Sequence, residues 1–527
     1  MPVSSLLQRL SVVLLFPLLL VQAALRGGKG VMLMQTNQSY NGDMDLMMRT
    51  ADSIVEILED DSSSSGYSNT ATDEQTLPSC RCNNDNDNDA ATRADWKPLV
   101  TDDDHSQQEE PLVLYGTSDH DQLGSGQDNG GNGVVVKGNL LAISSRHDTN
   151  AHGKAAGSVV VYEYDELSSS QQQHDYAPVG TALEGSTSGE YFGFSIDLLN
   201  KKDTAIGTSF ASVGATRYRG KEGSYQGSVR VYGLDDSVYP PEWSLVGRML
   251  QGEALLDHFG HSVALASCSA QRRLMVAVGA IQHFWTMDKS FPGYVKVFQL
   301  TNPMEGNVGN RWEQVGQTIR GDTDGDMFGS SVVLSESGNI MAASAPHAEG
   351  QRGIVKIFGY SSQEQQWIQI GESLQGEEAQ DLFGGSMSMS GSILAVGASN
   401  AGSLRGAVYM YHLDTKTNQW NPMGAPIRGM QDQDGLGNSV SLDGRRVAIG
   451  SSRAGTLEEG QVQVYEYSTT AKEWQPVGSS LQATLPASNL GSSVSLSGDR
   501  LVASAPNAGN PSSGQSLTGA VHQWELS

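Results

Sequence analysis

The strongest constraint on this chain of 527 residues is a pattern that occurs seven times along it. In each copy a small residue stands seven positions before the Phe or Leu of a Phe-Gly or Leu-Gly pair. The position pairs are Gly116/Leu123, Gly185/Phe192, Gly252/Phe259, Gly321/Phe328, Gly376/Phe383, Gly429/Leu436 and Ala483/Leu490. Each copy ends in the segment G-x-V-x-V-Y or a close variant. A repeat of about 50 to 70 residues at this regularity indicates a propeller or another repeat array.

Each copy contains four short segments with the composition and alternation of β-strands. The first contains Trp and a Val-Gly pair, the second follows the Phe or Leu, the third reads A-V-G-A, and the fourth is G-x-V-x-V-Y. Tight turns such as Ser390-Gly391 and Asp443-Gly444 join the second and third segments, as in hairpins. Helical periodicity does not separate the segments, which excludes parallel βαβ folds. The sequence therefore predicts an all-β fold, a seven-bladed β-propeller of four-stranded antiparallel blades.

The N-terminal side must supply the strand that closes this ring. Because each copy begins with the Trp segment, each blade takes its outermost strand from the following copy, and the last blade has no following copy. The repeat register places the missing Trp at Gln107, whereas the available one is Trp96. Either about eleven residues, including Asp102–Asp104, are inserted into the closing strand, or that strand is only Pro111–Tyr115. We favour Pro111–Tyr115.

The Phe-Gly and Gly-Ala signatures resemble FG-GAP repeats, the repeats of the integrin α-subunit headpiece and of many extracellular propellers. The clearest examples are Phe328-Gly329 with Ala343-Ser344-Ala345-Pro346, and Phe383-Gly384 with Val396-Gly397-Ala398. The likeness covers residues 107–527. It implies a seven-bladed propeller that serves as an interaction platform outside the cell.

The calcium sites of that family lie in a D-x-D-x-D-G loop between the Phe-Gly strand and the Gly-Ala strand. In this chain, copies 4 to 7 have only a tight turn at that place, and copies 1 to 3 lack the acid cluster. We therefore predict no cofactor, and calcium, if it binds, is not expected at the positions that the family uses. His258 and His261 bracket one Phe-Gly pair but have no further metal ligand at a suitable spacing.

The first 23 residues have the features of a signal peptide. Arg9 precedes the apolar run Leu10–Val21, and Val21-Gln22-Ala23 offers a small-residue cleavage site. The run is shorter than the ~18 to 20 residues that span a bilayer. We predict a secreted, extracellular protein without a membrane span, and the alternative is that the signal stays uncleaved as an anchor.

Residues 24–106 form a low-complexity acidic segment that we predict to be largely disordered, with one short helix at 43–59. Residues 41–110 contain 18 acids and 4 bases, so this stretch supplies −14 of the net charge of −26. A solvated spacer is the favoured interpretation, and an acidic arm that contacts calcium or mineral is the alternative. Asn37 lies in the only N-x-S/T glycosylation sequence. The acidic composition also argues against a nucleic-acid partner.

The sequence contains no G-x-S-x-G, no H-E-x-x-H and no phosphate-binding glycine loop. The tripeptide Arg320-Gly321-Asp322 coincides with a position of the repeat, so we interpret it as repeat consensus. Six copies carry an acid two positions before the Phe or Leu, and the seventh carries Ser488. These acids are Asp121, Glu190, Asp257, Asp326, Asp381 and Asp434. We do not expect an enzyme.

The loop between the third and fourth segments is where the copies differ most. It is longest at 146–156, 216–226, 281–292 and 506–518, in copies that become neighbours when the ring closes. In the resembled family this face carries ligand-binding loops. The candidate binding residues here are Tyr218, Arg219, Tyr225, His283, Phe284, Trp285 and Phe291. Aromatic and Arg side chains on loops of a rigid scaffold are typical of binding hot spots.

These observations favour a secreted or cell-surface, non-enzymatic binding scaffold that holds an extracellular protein or glycan. Two alternatives stay open. One is a secreted hydrolase with its site in the propeller channel, and the other is a structural protein of a matrix or wall. For Phe284 and Trp285, the alternative is that both pack over their own blade, since large aromatic side chains are mostly buried.

Overall fold

The computed structural model describes residues 22–26, 29–33, 95–98, 113–116, 118, 121–125, 133–164, 176–204, 206–220, 225–268, 273–282, 291–301 and 311–526. The chain divides into two units, Met1–Leu77 and Pro78–Ser527. In the first unit, strands Gln22–Arg26 and Lys29–Leu33 pair antiparallel. The predicted helix at 43–59, Asn37 and most of the predicted signal peptide lie outside the described residues.

The second unit is a seven-bladed β-propeller of antiparallel blades, as the sequence predicts. We number the blades 1 to 7 along the chain. The inner strands are Val134–Lys137, Phe192–Leu199, Ser262–Cys268, Val332–Leu334, Ser386–Ser390, Ser439–Asp443 and Val494–Ser497. The second strands are Leu140–Ser145, Phe210–Ala215, Arg273–Ala280, Ile340–Ala345, Ile393–Ala398, Arg446–Ser451 and Arg500–Ala505. The third strands are Ser158–Tyr164, Ser228–Asp235, Tyr294–Thr301, Ile354–Ser361, Ala407–Asp414, Gln461–Ser468 and Ala520–Leu526.

The outer strand of each blade comes from the following copy, and in most blades it is interrupted after its Trp segment. In blades 1 to 6 the outer segments are Tyr176–Pro178 with Leu183–Glu184, Glu242–Leu245 with Leu250–Gln251, Arg311–Gln314 with Ile319–Arg320, Gln366–Gln369 with Leu374–Gln375, Gln419–Pro422 with Ile427–Arg428, and the unbroken Glu473–Gln482. Short helical turns occur at Lys201–Asp203, Ala348–Gln351 and Ala401–Leu404. The predicted hairpin turns are present, and Gly391 and Gly444 adopt φ of +56° and +57°.

The ring closes through both N-terminal candidates for the last outer strand. Trp96–Pro98 and Val113–Tyr115 each pair with Ala520–Leu526. Pro111–Tyr115 alone is therefore an incomplete account of closure, and the insertion alternative describes the strand better. Trp96 is buried at 5 % exposure and lies in the hydrophobic cluster of blade 7. The entropic cost of closing a loop grows only slowly with its length. The free energy gained by burying the indole therefore exceeds the extra cost of the longer loop.

The Trp and Val-Gly positions of the repeat join neighbouring blades at the outer circumference. The indole Nε1 of Trp243 donates to the Val179 carbonyl oxygen at 2.9 Å, and Trp367 donates to Val315 at 2.9 Å. A Cβ on Gly316 would lie 2.7 Å from Cδ1 of Trp367, so a side chain there would meet the indole. The Trp of one copy and the Val-Gly pair of the preceding copy thus form one joint.

The Phe-Gly and Gly-Ala positions form a second joint close to the axis. The Ser262 hydroxyl donates to the Gly329 carbonyl oxygen of the next blade at 2.8 Å. A Cβ on Gly279 would lie only 2.0 Å from that same oxygen, so glycine is required for the close approach. The same Ser-to-Gly hydrogen bond joins blade 2 to 3, 5 to 6 and 6 to 7. The repeat signature therefore encodes contacts between blades.

The free edges of the inner strands are covered by side chains of the preceding blade. Asp197 Oδ2 accepts from the Leu265 backbone N–H at 2.7 Å, and Ser441 Oγ accepts from that of Leu496 at 2.9 Å. At the closure of the ring, Ser495 Oγ accepts from the Val136 N–H at 2.9 Å. An edge strand needs partners for its backbone groups, and these side chains supply them.

Candidate functional site

Strand direction defines two faces of the propeller. The Phe-Gly or Leu-Gly end of each inner strand and the loop between the second and third strands lie at one end of the blade, which we call the loop face. The tight turns between inner and second strands, such as those at Gly391 and Gly444, lie at the other end, the turn face. The candidate binding residues belong to the loop face.

The repeated acid has a structural role in the loop that precedes each Phe-Gly pair. Asp257 Oδ2 accepts from the backbone N–H groups of Glu253 at 2.7 Å and Ala254 at 2.9 Å, and from the Tyr294 hydroxyl at 2.7 Å. Asp381 accepts from the Glu378 N–H at 2.8 Å. These carboxylates accept hydrogen bonds that stabilise the fold. Across the described ranges, no group of three or more His, Cys, Asp or Glu side chains could hold a metal ion.

The Arg320-Gly321-Asp322 segment follows the repeat, as the sequence interpretation has it. The Gly321 N–H donates to the Gly293 carbonyl oxygen at 3.0 Å, and Gly252 and Gly376 make the equivalent bond in their blades. Lys356 Nζ lies 2.6 Å from the Asp322 carboxylate. The tripeptide therefore lies at the end of an outer strand, and its acid, Asp322, is paired with Lys356.

The structure distributes the predicted binding residues among different environments. Arg219 is exposed. Tyr218 is half-buried, packs against the cluster shared by blades 1 and 2, and has the Arg230 guanidinium 5.7 Å from its ring centroid. Phe291 is 50 % exposed. His283, Phe284 and Trp285 lie outside the described residues.

Tyr225 belongs to a group of side chains that the loop face assembles across three blades. The Arg217 guanidinium carbon lies 4.0 Å from the centroid of the Tyr191 ring and 5.5 Å from that of Tyr225. His147 lies 5.0 Å from the Tyr191 ring, and His258 lies 5.5 Å from the Tyr225 ring. We call His147, Tyr191, Arg217, Tyr225 and His258 the aromatic–cation arc. Cation–π contacts at these distances hold the guanidinium between two rings.

Local backbone geometry fixes the positions of Tyr191 and His258 in the arc. The residue before each Phe-Gly or Leu-Gly pair has a positive φ in all seven copies, including Tyr191 at +58° and His258 at +53°. The His258 N–H donates to the Tyr225 carbonyl oxygen at 2.9 Å, and the Tyr191 N–H donates to that of Ala155 at 3.2 Å. Left-handed backbone at a residue other than glycine persists only where surrounding contacts impose it. The backbone that presents Tyr191 and His258 is therefore part of the rigid scaffold.

A buried ion pair lies beneath the arc. Arg230 Nη1 lies 2.6 Å from Glu190 Oε1, and the Glu190 side chain is fully buried. The hydroxyls of Ser186 and Thr187 donate to Glu190 Oε2 at 3.0 and 2.8 Å. Because Glu190 directly precedes Tyr191, this network holds the loop that presents the Tyr191 ring. A buried carboxylate with several partners is costly to disturb.

The sequence interpretation did not single out His147, Tyr191 or Arg217. The repeat register does contain the signal. Tyr191 and His258 both stand directly before a Phe-Gly pair, while His147 and Arg217 are both the second residue after a Gly-Ala position or its equivalent. Residues at equal positions in adjacent blades become neighbours on one face. The repeat register, unlike loop length, therefore predicts that these side chains lie close together.

Comparison with known proteins gives no match. Neither the protein-family models nor the curated proteins give a match to the chain. Among the residues that the structure describes, no helix has the length and apolar character to cross a membrane. The fold defines the class of protein, a seven-bladed β-propeller. It has a repeated joint between blades and an aromatic–cation arc on its loop face.

Proposed function

We propose that this protein is a secreted or cell-surface, non-enzymatic binding scaffold whose loop face holds an extracellular protein or glycan with acidic groups. The observation that carries the proposal is the position of Arg217 between the rings of Tyr191 and Tyr225. A guanidinium that contacts aromatic faces still has N–H groups that can pair with carboxylate or sulfate oxygens.

The proposal includes membership of the FG-GAP class of repeats. Two features support it. The Phe-Gly and Gly-Ala positions recur in register over residues 107–527, and the same positions form the joints between blades, as with Ser262, Gly279 and Gly329. The N-terminal sequence with Arg9 and Leu10–Val21 supports export from the cell.

Charge supports an acidic partner. The chain has a net charge of −26, yet the arc contains Arg217, and the exposed Arg219 lies two residues away. The two acids nearest in sequence to the arc's Tyr191 and His258, Glu190 and Asp257, are buried and engaged in hydrogen bonds. Arginine side chains on the loop face of an acidic protein favour partners with acidic groups.

The experiment measures binding of the full chain to two acidic probes, a polyglutamate peptide and chondroitin sulfate, by biolayer interferometry. Arg217→Gln removes the charge, and Gln282 shows that glutamine is accepted at the same repeat position. Tyr191→Leu removes the ring, and Leu382 occupies the equivalent position with a φ of +55°. We expect each variant to weaken binding about tenfold, in line with the loss of a charged hydrogen bond.

Arg311→Gln is the matched control, because Arg311 is 69 % exposed on an outer strand and loses the same charge. This control should bind both probes like the wild-type chain, and all variants should keep the wild-type melting temperature. Stronger binding to polyglutamate favours a protein partner, and stronger binding to chondroitin sulfate favours a glycan. Equal losses in Arg217→Gln and Arg311→Gln, or no loss in either, would refute the assignment.

A further inference from the structure

A cavity of about 480 Å³ opens on the loop face, and it meets the arc at blade 1, where Arg146 Nε donates to Nε2 of His147 at 3.2 Å. Residues of blades 1, 5, 6 and 7 line it, including Arg146, Asn400, Arg453, Asn489 and Asn507. Its volume lies within the range of about 300 to 1,000 Å³ that is typical of small-molecule sites. The lining is dominated by amide, hydroxyl and guanidinium groups, and its larger apolar members are Leu382 and Pro506.

Two guanidinium groups give the cavity a preference for anions. Arg146 is 8 % exposed, and its guanidinium carbon lies 5.4 Å from the Phe194 ring centroid. Nη2 of Arg453 donates to Asn400 Oδ1 at 3.5 Å. Glu458 is the one acid among the lining residues, and it is exposed. Arginine at a partly enclosed site recognises carboxylates through two parallel hydrogen bonds.

The amide groups form a chain that fixes their orientation. Asn507 Nδ2 donates to Asn489 Oδ1 at 2.6 Å, and Asn489 Nδ2 donates to the Ser452 carbonyl oxygen at 3.0 Å. Gln122 Nε2 completes the chain by donating to Asn507 Oδ1 at 3.4 Å. Each amide nitrogen carries two hydrogens, so both asparagines keep a second donor for a ligand oxygen.

Ser125 adds an independent indication of a ligand. Its side chain is 5 % exposed and lines the cavity, and its hydroxyl has no hydrogen-bond partner among the described residues. Buried hydroxyls are almost always hydrogen-bonded, because desolvation without a partner is costly. A hydroxyl or carboxylate oxygen of a bound molecule would satisfy it.

We propose that this cavity binds a carboxylated sugar, either as the free sugar acid or as the terminal uronate of a polysaccharide. Arg146 and Arg453 bind the carboxylate, and the asparagine chain and Ser125 hydrogen-bond the sugar hydroxyls. The polar lining disfavours apolar ligands, and the two guanidinium groups favour an acid over a neutral sugar.

The test is isothermal titration calorimetry of the full chain with galacturonate, with galactose as the neutral analogue and trigalacturonate as the polymer-derived analogue. Galacturonate should bind with measurable heat at concentrations up to about 10 mM, and galactose should bind at least roughly tenfold more weakly. Tighter binding of trigalacturonate than of galacturonate indicates a polysaccharide end, and equal binding indicates the free acid. Failure of both acids to bind overturns the proposal, as does equal affinity for galactose.

Arg453→Asn is the decisive variant, since asparagine occupies the same repeat position in Asn400 and Asn507 and the fold accepts it there. We expect this change to weaken galacturonate binding about tenfold or more and leave the melting temperature unchanged. Arg311→Gln should leave galacturonate affinity within roughly twofold, because Arg311 lies on the outer strand of blade 3 and the cavity is lined by residues of blades 1, 5, 6 and 7. Unchanged affinity in Arg453→Asn refutes the cavity, whereas the arc proposal depends on Arg217 and is tested separately.

Discussion

The Ser386 hydroxyl of blade 5 donates a 2.8 Å hydrogen bond to the Gly437 carbonyl oxygen of blade 6. Ser386 belongs to the Phe-Gly-x-Ser part of the repeat, and Gly437 belongs to the next Leu-Gly pair. A Cβ on Gly397 would lie 2.1 Å from the same oxygen. Contacts with this one carbonyl group explain why a serine and two glycines recur together. The repeat signature therefore encodes the joint between blades.

Loss of this joint should destabilise the ring measurably. Ser386 is 2 % exposed, so Ser386→Ala leaves the Gly437 carbonyl without its side-chain donor in a buried place. We expect the free energy of unfolding in urea to fall by about 1 to 2 kcal/mol. Ser480→Ala, at an exposed position of an outer strand, should change it by less than about 0.5 kcal/mol. Equal effects of the two substitutions would contradict the role assigned to the joint.

The two segments of the closing strand determine how far the chain can be shortened from its N-terminus without destabilising the propeller. A chain that begins at residue 90 keeps Trp96–Pro98 and Val113–Tyr115, and a chain that begins at residue 107 loses the Trp segment. Removal of a buried Trp costs about 3 to 5 kcal/mol, so the shorter chain should melt well below the longer one. Differential scanning calorimetry of both chains decides this. Identical melting temperatures would show that Trp96 is not needed for closure.

His522 in the last strand makes stability depend on pH. Burial lowers the pKa of His522 to about 4, from an ordinary value of about 6.5. Between these values the unfolded chain binds a proton that the folded chain does not, so the free energy of unfolding falls as pH falls from 6.5 towards 4. His522→Gln removes this contribution. The stability difference between wild type and variant should shift by about 2 kcal/mol in the variant's favour from pH 7.5 to 4.5.

Urea unfolding of both chains at the two pH values measures that shift. The His522 ring stacks on Trp524 with centroids 5.8 Å apart, so the variant also loses some packing. That packing loss is the same at both pH values and cancels in the comparison. A stability difference that does not change with pH would mean that His522 titrates normally in the folded protein.

Calcium removal should leave the propeller intact. The repeated acids Asp257 and Asp381 are occupied by backbone N–H groups, and the turns at Gly391 and Gly444 are too short for a calcium loop. We expect chelator to change the melting temperature by less than about 2 °C. A fall of more than about 10 °C, which represents several kcal/mol for a domain of this size, would reveal a calcium site.

The fold was predictable because the repeat register determines blade number, strand order and turns together. Closure was harder, since Trp96 lies eleven positions from its place in the register, and only its burial shows that the insertion is accommodated. The arc was missed for another reason. Loop length and aromatic content predict binding residues within a single loop, whereas the contact between Arg217 and Tyr191 depends on how the loops of one blade pack side by side.

Hydroxyl-radical footprinting of the full chain, with and without bound polyglutamate, tests the central claim most directly. Tyr191 and Tyr225 carry the arc on the loop face, and Tyr239, which is 99 % exposed between a third and an outer strand, is the internal reference on the turn face. Binding at the arc should reduce the oxidation rates of Tyr191 and Tyr225 by about half or more, because a bound partner excludes water from both rings. Tyr239 should be unaffected. Protection of Tyr239, or unchanged rates at Tyr191 and Tyr225 while the probe is bound, would contradict binding on the loop face.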